Sequence, residues 1–258
     1  KHGARVRFHQ GTAEVLGRLA VIGPPAADGS VAIQPGSSGF VRIRFEGPVV
    51  ITRGDRYILR TYSPPMTMGG GDILDPAPPR SGVRTEAAVR RCVALEVHGN
   101  SVNGRGPGDD LGVVRLFVQE AGPSGLPVDA LLWRAGFSRA EAAALVDGLV
   151  EERVAVRIEN LVVARPALDR LKAAIAEAVR RHHREQPLSD GLPREEARVR
   201  LHGRGPGAVF DRALDELAHA AVVAGRERLK LAAHEVVLSP EDARAQQALE
   251  RLLLVGGL

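Results

Sequence analysis

Two prolines and three glycines fall within eight residues of one another in the stretch Gly54–Asp75, GDRYILRTYSPPMTMGGGDILD, and they leave the chain few options there. Residues 55–61 are β-prone, with Tyr57, Ile58 and Leu59 between charged neighbours. Pro64-Pro65 then interrupts any ladder or helix, because each ring removes an N–H and fixes φ. Gly69-Gly70-Gly71 follows, so a second strand must start from backbone without a Cβ. The pattern predicts strand, irregular proline loop and glycine-kinked strand. The triplet fits a tight barrel corner first and a backbone approached by a ligand second.

Residues 1–75 as a whole read as all-β. Alternation runs through 5–8, 13–22 and 41–45, and Val49-Val50-Ile51 adds a further short strand. Breakers lie between them at Gly23-Pro24-Pro25, Asp28-Gly29, Pro35-Gly36 and Gly47-Pro48, a spacing that suits a small antiparallel barrel or sandwich. Period-two alternation turns Arg5, Arg7, Arg42, Arg44, Arg53, Arg56 and Arg60 toward the wet face. That face serves equally as a solvated surface or as one that meets RNA.

Residues 76–84 form a proline-rich connector. Thr85 caps a helix running to about Leu95, with Ala88, Cys92 and Leu95 on one stripe. From Leu111 the pattern is helical: a segment ending near Gly122-Pro123, a second over 128–135, and a third opened by the capping box Ser138-Arg139-Ala140-Glu141. Two strands around Glu159-Asn160 follow, and three helices and a hairpin in this order make a winged helix. Pro166 to His183 is a long helix with Leu168, Leu171, Ile175 and Val179 on one face. His182 and His183 are adjacent, point about 100° apart, and are expected to be solvated or capping rather than joint metal ligands. Helices over 193–201 and 207–220 lead to a second wing, with strands at Val222-Val223 and Val236-Val237-Leu238 around the basic tip 226–230. Ser239 and Pro240 open one more helix. Gly104-Arg105-Gly106-Pro107-Gly108 recurs as Gly203-Arg204-Gly205-Pro206-Gly207, an echo that shared turn chemistry explains.

The fold class is therefore multidomain α+β, an N-terminal antiparallel β-barrel followed by tandem winged-helix domains. The boundaries are 1–78 for the barrel, 79–111 for a linker with one helix, 112–165 and 166–239 for the winged helices, and 240–258 for the start of a truncated third. The start within a strand pattern and the end at VGGL suggest a stretch of something longer.

Several chemistries are missing from the sequence. The single cysteine, Cys92, excludes a disulfide framework and a thiolate zinc site, and favours a reducing, cytoplasmic setting. No run of about 18 apolar residues could span a bilayer, so no membrane partner is expected. The three lysines, Lys1, Lys172 and Lys230, follow no glycine, so there is no P-loop. No H-E-x-x-H or nucleophile elbow occurs, and neither a catalytic residue nor a metal ligand is expected. Aromatics at 3% are too sparse for stacking platforms. The net charge of +4 is carried almost wholly by arginine, which suits bidentate phosphate contact.

The residues from Gly54 to Arg60, with Ser63-Pro64-Pro65, Thr67-Met68-Gly69-Gly70-Gly71 and Asp75-Pro76, closely resemble the end of the third domain of the bacterial selenocysteine-specific elongation factor (SelB) family. More distantly they resemble the closing hairpin of that domain in Tu-type factors. His9-Gln10-Gly11-Thr12-Ala13-Glu14-Val15 is similar to the domain's opening strand. Pro187-Leu188 with Gly191-Leu192-Pro193-Arg194-Glu195-Glu196 resembles the loop opening the family's second winged helix, and Leu238-Ser239-Pro240-Glu241 its junction to the third. The resemblance implies a parent GTPase using GTP and magnesium in domains upstream of these, with no cofactor in this part. It implies selenocysteinyl-tRNA and the ribosome as partners, and a messenger hairpin reached only through further winged helices. The tRNA-contacting residues it implies are His9, Gln10, Gly11 and Thr12, then Arg60, Thr67, Gly69, Gly70 and Gly71. The Tu-type pattern is shorter at Tyr62–Pro65, which leaves the register between Arg60 and Thr67 open.

Residues 111–165 carry six basic and seven acidic side chains, so the first winged helix reads as a spacer. In the second, Arg194, Arg198 and Arg200 before its main helix and Arg226, Arg228 and Lys230 in the wing are the candidates for touching RNA. The alternative is a tandem winged-helix DNA-binding regulator with a β-barrel sensor domain, against which the acidic balance of 139–152 counts. A third reading is a structural adaptor that binds no nucleic acid.

Overall fold

A computed structural model describes residues 2–25, 29–99 and 110–233, with Arg244, Gln247, Ala248 and Arg251. The chain forms two compact units, Lys1–Glu120 with Leu126–Glu152, and Ala121–Gly125 with Arg153–Leu258. The stretch 112–165 is therefore shared between them.

The first unit opens with a five-stranded antiparallel sheet in the order β3-β2-β1-β4-β5. Its strands are β1 (Arg5–Gln10), β2 (Ala13–Val21), β3 (Val41–Phe45), β4 (Arg56–Thr61) and β5 (Thr67–Asp72). Alternation sends Val6, Phe8, Leu19 and Leu59 into one core, joined by Val41, Ile43, Phe45 and Tyr57. Phe8 is its centre, with the Phe45 ring edge-on at 4.8 Å and Tyr57 stacked at 5.2 Å. Val49-Val50-Ile51 is not a strand: no neighbour offers these residues a ladder, and Val50 is 93% exposed.

The connector does not hang free. Arg42 donates to the carbonyls of Pro79 (3.0 Å) and Arg80 (2.7 Å), and the Gly23 N–H donates to Val83 O (2.8 Å). Proline fixes φ and the barrel supplies the partners, so the segment is laid along the sheet. It delivers the chain to α1 (Glu86–Gly99), whose Ala88 N–H donates to the Thr85 hydroxyl and whose Cys92 and Leu95 are buried. Then come α2 (Asp110–Ala121), the short β6 (Leu126–Pro127), α3 (Val128–Ala135) and α4 (Arg139–Glu151), the last opened by a complete Ser138/Glu141 capping box.

Just past the end of β5 the chain is bound to two residues of these helices, one on α1 and one on α3. Asp75, 3% exposed, accepts two hydrogen bonds from Arg134 (2.9 and 2.8 Å) and one from Arg91. Arg91 also pairs with Glu120, and the Arg134 guanidinium lies 3.8 Å from the Phe117 ring centre. Burial by itself works to raise the Asp75 carboxyl's pKa, but the hydrogen bonds and charge of Arg134, with Arg91, hold it below the usual range. Arg53 leaves the wet face expected for it. It is half-buried and donates to Leu74 O (2.7 Å) and Leu95 O, because it precedes β4 in a turn and the sheet's alternation does not reach it.

The second unit holds the hairpin β7 (Ala155–Ile158) and β8 (Leu161–Ala164), and the long α5 (Arg165–Glu185). It continues with β9 (Leu192–Pro193), α6 (Arg194–His202), α7 (Gly207–His219), β10 (Val223–Ala224) and β11 (Arg228–Leu231). The order helix, two-residue strand, helix, helix, hairpin thus occurs twice along the chain. Strands β10-β11-β9 form a sheet, and Leu192, Val209, Phe210, Leu217 and Leu229 are buried.

Three local expectations change in this unit. Residues 228–230, expected at the wing's tip, are the strand itself: Arg-Leu-Lys-Leu alternates, with Leu229 1% exposed, and the turn is tightened to Gly225-Arg226-Glu227 by φ +108° at Gly225. The strand expected at 236–238, the helix start at Ser239-Pro240 and the first copy of the glycine-arginine echo lie outside the described residues. His183 is buried, not solvated. It lies one helical turn past Val179 on the apolar stripe and accepts from the Leu231 N–H (3.4 Å), while His182 Nε2 pairs with Ser189 Oγ (2.8 Å). In the second copy of the echo, a Cβ at Gly205 would collide with the His202 ring, whose Nε2 lies 3.0 Å from Pro206 O. There the glycine serves a buried histidine.

Candidate nucleic-acid interface

Residue pairing across the sheet joins the two sequence segments that the resemblance singled out. His9 stands opposite Glu14 on one side and Ile58 on the other, and Ile58 stands opposite Gly70. One row therefore crosses β2, β1, β4 and β5. In the next rows Leu59 faces Gly69 and Tyr57 faces Gly71. A bulge between Leu59 and Arg60 sets Arg60 opposite Thr67.

His9, Gly11, Arg56, Tyr57, Ile58, Gly71 and Asp72 line a shallow cleft of about 400 Å³. Gly11, with φ +55°, makes the β1–β2 turn, and Gln10 and Thr12 flank it. Gly69 and Gly70 lie exposed on β5, the edge strand, so their main chain is open to a partner. The three glycines serve different ends. A Cβ on Gly70 would come within 2.6 Å of the Tyr57 carbonyl and one on Gly71 within 3.0 Å of the Tyr57 hydroxyl, so both admit close packing of β4 on β5. A Cβ on Gly69 would meet nothing within 4 Å. The barrel-corner and open-backbone readings thus divide among the three residues. The cleft has an apolar wall as well, since Ile58 is 48% exposed on the outer face. His9 Nε2 lies 3.7 Å from Glu14.

The six basic candidates of the second unit divide in half. Arg194 pairs with Asp211 (2.6 Å), Arg198 with Glu195 (2.5 Å) and Arg228 with Asp190 (3.0 Å). The hydrogen bond from Arg198 is the largest influence holding the Glu195 carboxyl below its usual range. Arg200, Arg226 and Lys230 are exposed and form no ion pair among the described residues. Sequence could not separate the two sets, because Asp190 and Asp211 reach their partners only through the fold. No group of His, Cys, Asp or Glu with metal-site geometry occurs among the described residues, nor any helix long and apolar enough to cross a membrane.

Comparison with known proteins agrees with this architecture. Residues 1–80 match the family model described as the selenocysteine-specific elongation factor beta-barrel domain, and residues 176–231 match that of the elongation factor SelB winged helix. A curated selenocysteine-specific elongation factor from Desulfomicrobium baculatum is 27% identical over 263 residues, covering 100% of this chain and 39% of the relative. The crystal structure of bacterial selenocysteine-specific elongation factor EF-Sec superposes with a TM-score of 0.59 at 17% identity, over 99% of this chain and 35% of that one. The chain thus spans about two fifths of its curated relative. The reading as a DNA-binding regulator finds no support in these matches. With a barrel model and a winged-helix model of one factor matched in chain order, and a relative of that name aligned over the whole of this chain, the chain is similar to the selenocysteine-specific elongation factor (SelB) family from end to end.

Proposed function

We propose that this chain supplies the third, Tu-type barrel and the first two winged helices of a selenocysteine-specific elongation factor, divided at 1–78, 112–165 and 166–239. In this reading the barrel holds selenocysteinyl-tRNA, and the winged helices set its distance from domains that read a messenger hairpin on the ribosome. GTP and magnesium belong to the GTPase part of the factor. Within this chain the work is binding, not catalysis.

One observation carries the reading: His9 and Gly11 meet Gly71 around a single cleft, beside the bare edge of Gly69 and Gly70. RNA stems are gripped through ribose hydroxyls and phosphates, which need donors and main chain that comes close. Gln10 and Thr12 at the turn and Arg60 and Thr67 on the adjoining pair would complete that grip. Arg200, Arg226 and Lys230 give the second winged helix a smaller contact of the same kind, and Arg194, Arg198 and Arg228 are tied up in shaping it.

The test is a titration of the 258-residue chain with selenocysteinyl-tRNA, a messenger-type RNA hairpin and duplex DNA at several salt concentrations. tRNA is expected to bind tightest, with affinity falling as salt rises. His9→Ala and Gly69→Val should each weaken tRNA binding by about tenfold while leaving thermal stability unchanged, since Gly69 has open space around it. A preference for duplex DNA, or tRNA binding indifferent to both substitutions, overturns the reading.

A further inference from the structure

The outer face of the five-stranded sheet holds as much excess positive charge as the whole chain. Arg5, Arg18 and Arg44 stand side by side across β1, β2 and β3, opposite to the face that buries Val6, Phe8 and Leu19. Arg7 pairs across to Arg60 in the next row, and Arg42 and Arg56 lie on the same face by strand parity. Against these seven cations stand three carboxylates, Glu14, Glu46 and Asp72. The difference of four equals the formal net charge of all 258 residues, so the remainder of the chain balances to zero.

These cations are not all compensated. Arg5 pairs with Glu46 (2.6 Å), Arg7 with Glu14 and Arg56 with Asp72 (3.7 Å), and Arg42 is held by the connector's carbonyls. Arg18, Arg44 and Arg60 are exposed, with no hydrogen bond or ion pair among the described residues. Like charges directly opposite on paired strands repel. Among the described residues Glu46 is the one carboxylate paired with the Arg5–Arg18–Arg44 row, and its carboxyl is held low first by its hydrogen bond to Arg5 and further by the charges of Arg18 and Arg44. Base stacking has no platform here, because the Arg5 and Arg7 guanidiniums already lie over the Tyr62 ring at 4.4 and 5.6 Å. What remains is a rigid row of forked donors suited to phosphate oxygens.

The geometry points to the β1–β2–β3 half of this face as a second RNA contact, taking the phosphodiester backbone of an A-form duplex across Arg5, Arg18 and Arg44. It lies toward the end of β1 away from the His9–Gly71 cleft and rests on the reading of the barrel as an RNA-contacting domain. The duplex is a stem of the tRNA bound at the cleft or a stem of another RNA, and both offer the same phosphates.

The experiment measures binding of the 258-residue chain to aminoacylated tRNA and to a generic RNA duplex of about 16 base pairs as a function of salt. The variants are Arg18→Gln, Arg44→Gln, both together, and Arg170→Gln on α5 as a remote change of the same charge. The double variant should lower the slope of log affinity against log salt by about two and weaken binding at low salt by more than about tenfold. Arg170→Gln should leave the slope unchanged. An effect on both RNAs supports the row as a grip for any stem, and one confined to tRNA supports it with the tRNA as source. An unchanged slope in the double variant, or an equal fall in Arg170→Gln and Arg18→Gln, overturns the inference. If Gly69→Val weakens tRNA binding while the double variant alters neither RNA, the row has failed and the cleft stands. If the intact chain binds neither RNA, both fall.

Discussion

Asp75 sits where the chain leaves β5, and its carboxylate is the more buried of two, with Glu120, on which Arg91 and Arg134 converge. Removing one partner of a buried ion pair leaves the others desolvated without compensation, which costs more than the pair contributes over an apolar replacement. Asp75→Asn is therefore expected to lower the stability of the first unit by roughly 3 kcal/mol, measured by urea unfolding. In the sequence this joint was legible only as Asp75-Pro76, part of a family string. Nothing in one dimension brings Arg91 and Arg134, 16 and 59 residues away, onto the same oxygen atoms. Gly69 teaches the converse: its freedom from Cβ contacts distinguishes it from Gly70 and Gly71, although the three letters are identical.

Between elements, Glu216 is the corresponding joint. From α7 it accepts hydrogen bonds from Arg165 (2.9 Å) and Lys172 (2.8 Å) of α5 and from Arg212 on its own helix (3.0 Å). Partial burial opposes ionisation, but Lys172, Arg165 and Arg212 outweigh it and hold the carboxyl at about 2. A carboxylate depressed on folding contributes stability that is full above its unfolded pKa, near 4.5, and is lost as pH falls toward about 2. The second unit should lose up to about 2 kcal/mol across that window after solvent screening. Glu216→Gln should flatten this part of the pH profile, read from thermal melts between pH 5 and pH 2; a profile as steep as the parent's would remove Glu216 as the joint. At this scale the sequence was most informative. The α5 stripe, the capping box at Ser138 and the β1, β2 and β4 patterns follow from local periodicity. The alternation in Arg228–Leu231 was equally legible, yet its charges drew it into the turn.

For the whole molecule, the two joints lie in different compact units, so their effects are expected to be independent. Asp75→Asn and Glu216→Gln combined should add within about 0.5 kcal/mol at pH 7, and a larger deviation in a double-mutant cycle would show the units to be coupled. The sequence by itself determined the resemblance to the SelB family, the order of a β-rich unit before two helical ones, and the glycine and proline positions that force the β4–β5 hairpin. These depend on neighbours in the chain, whose spacing sets period, capping and turn. Only the tertiary structure decided that His9 and Gly71 share a cleft, that Arg18 and Arg44 stand uncompensated while Arg194 and Arg228 do not, and that Asp75 is buried. Strand register and side-chain pairing join residues far apart in sequence, and the energy of a charge depends on which partners and how much water the fold places beside it.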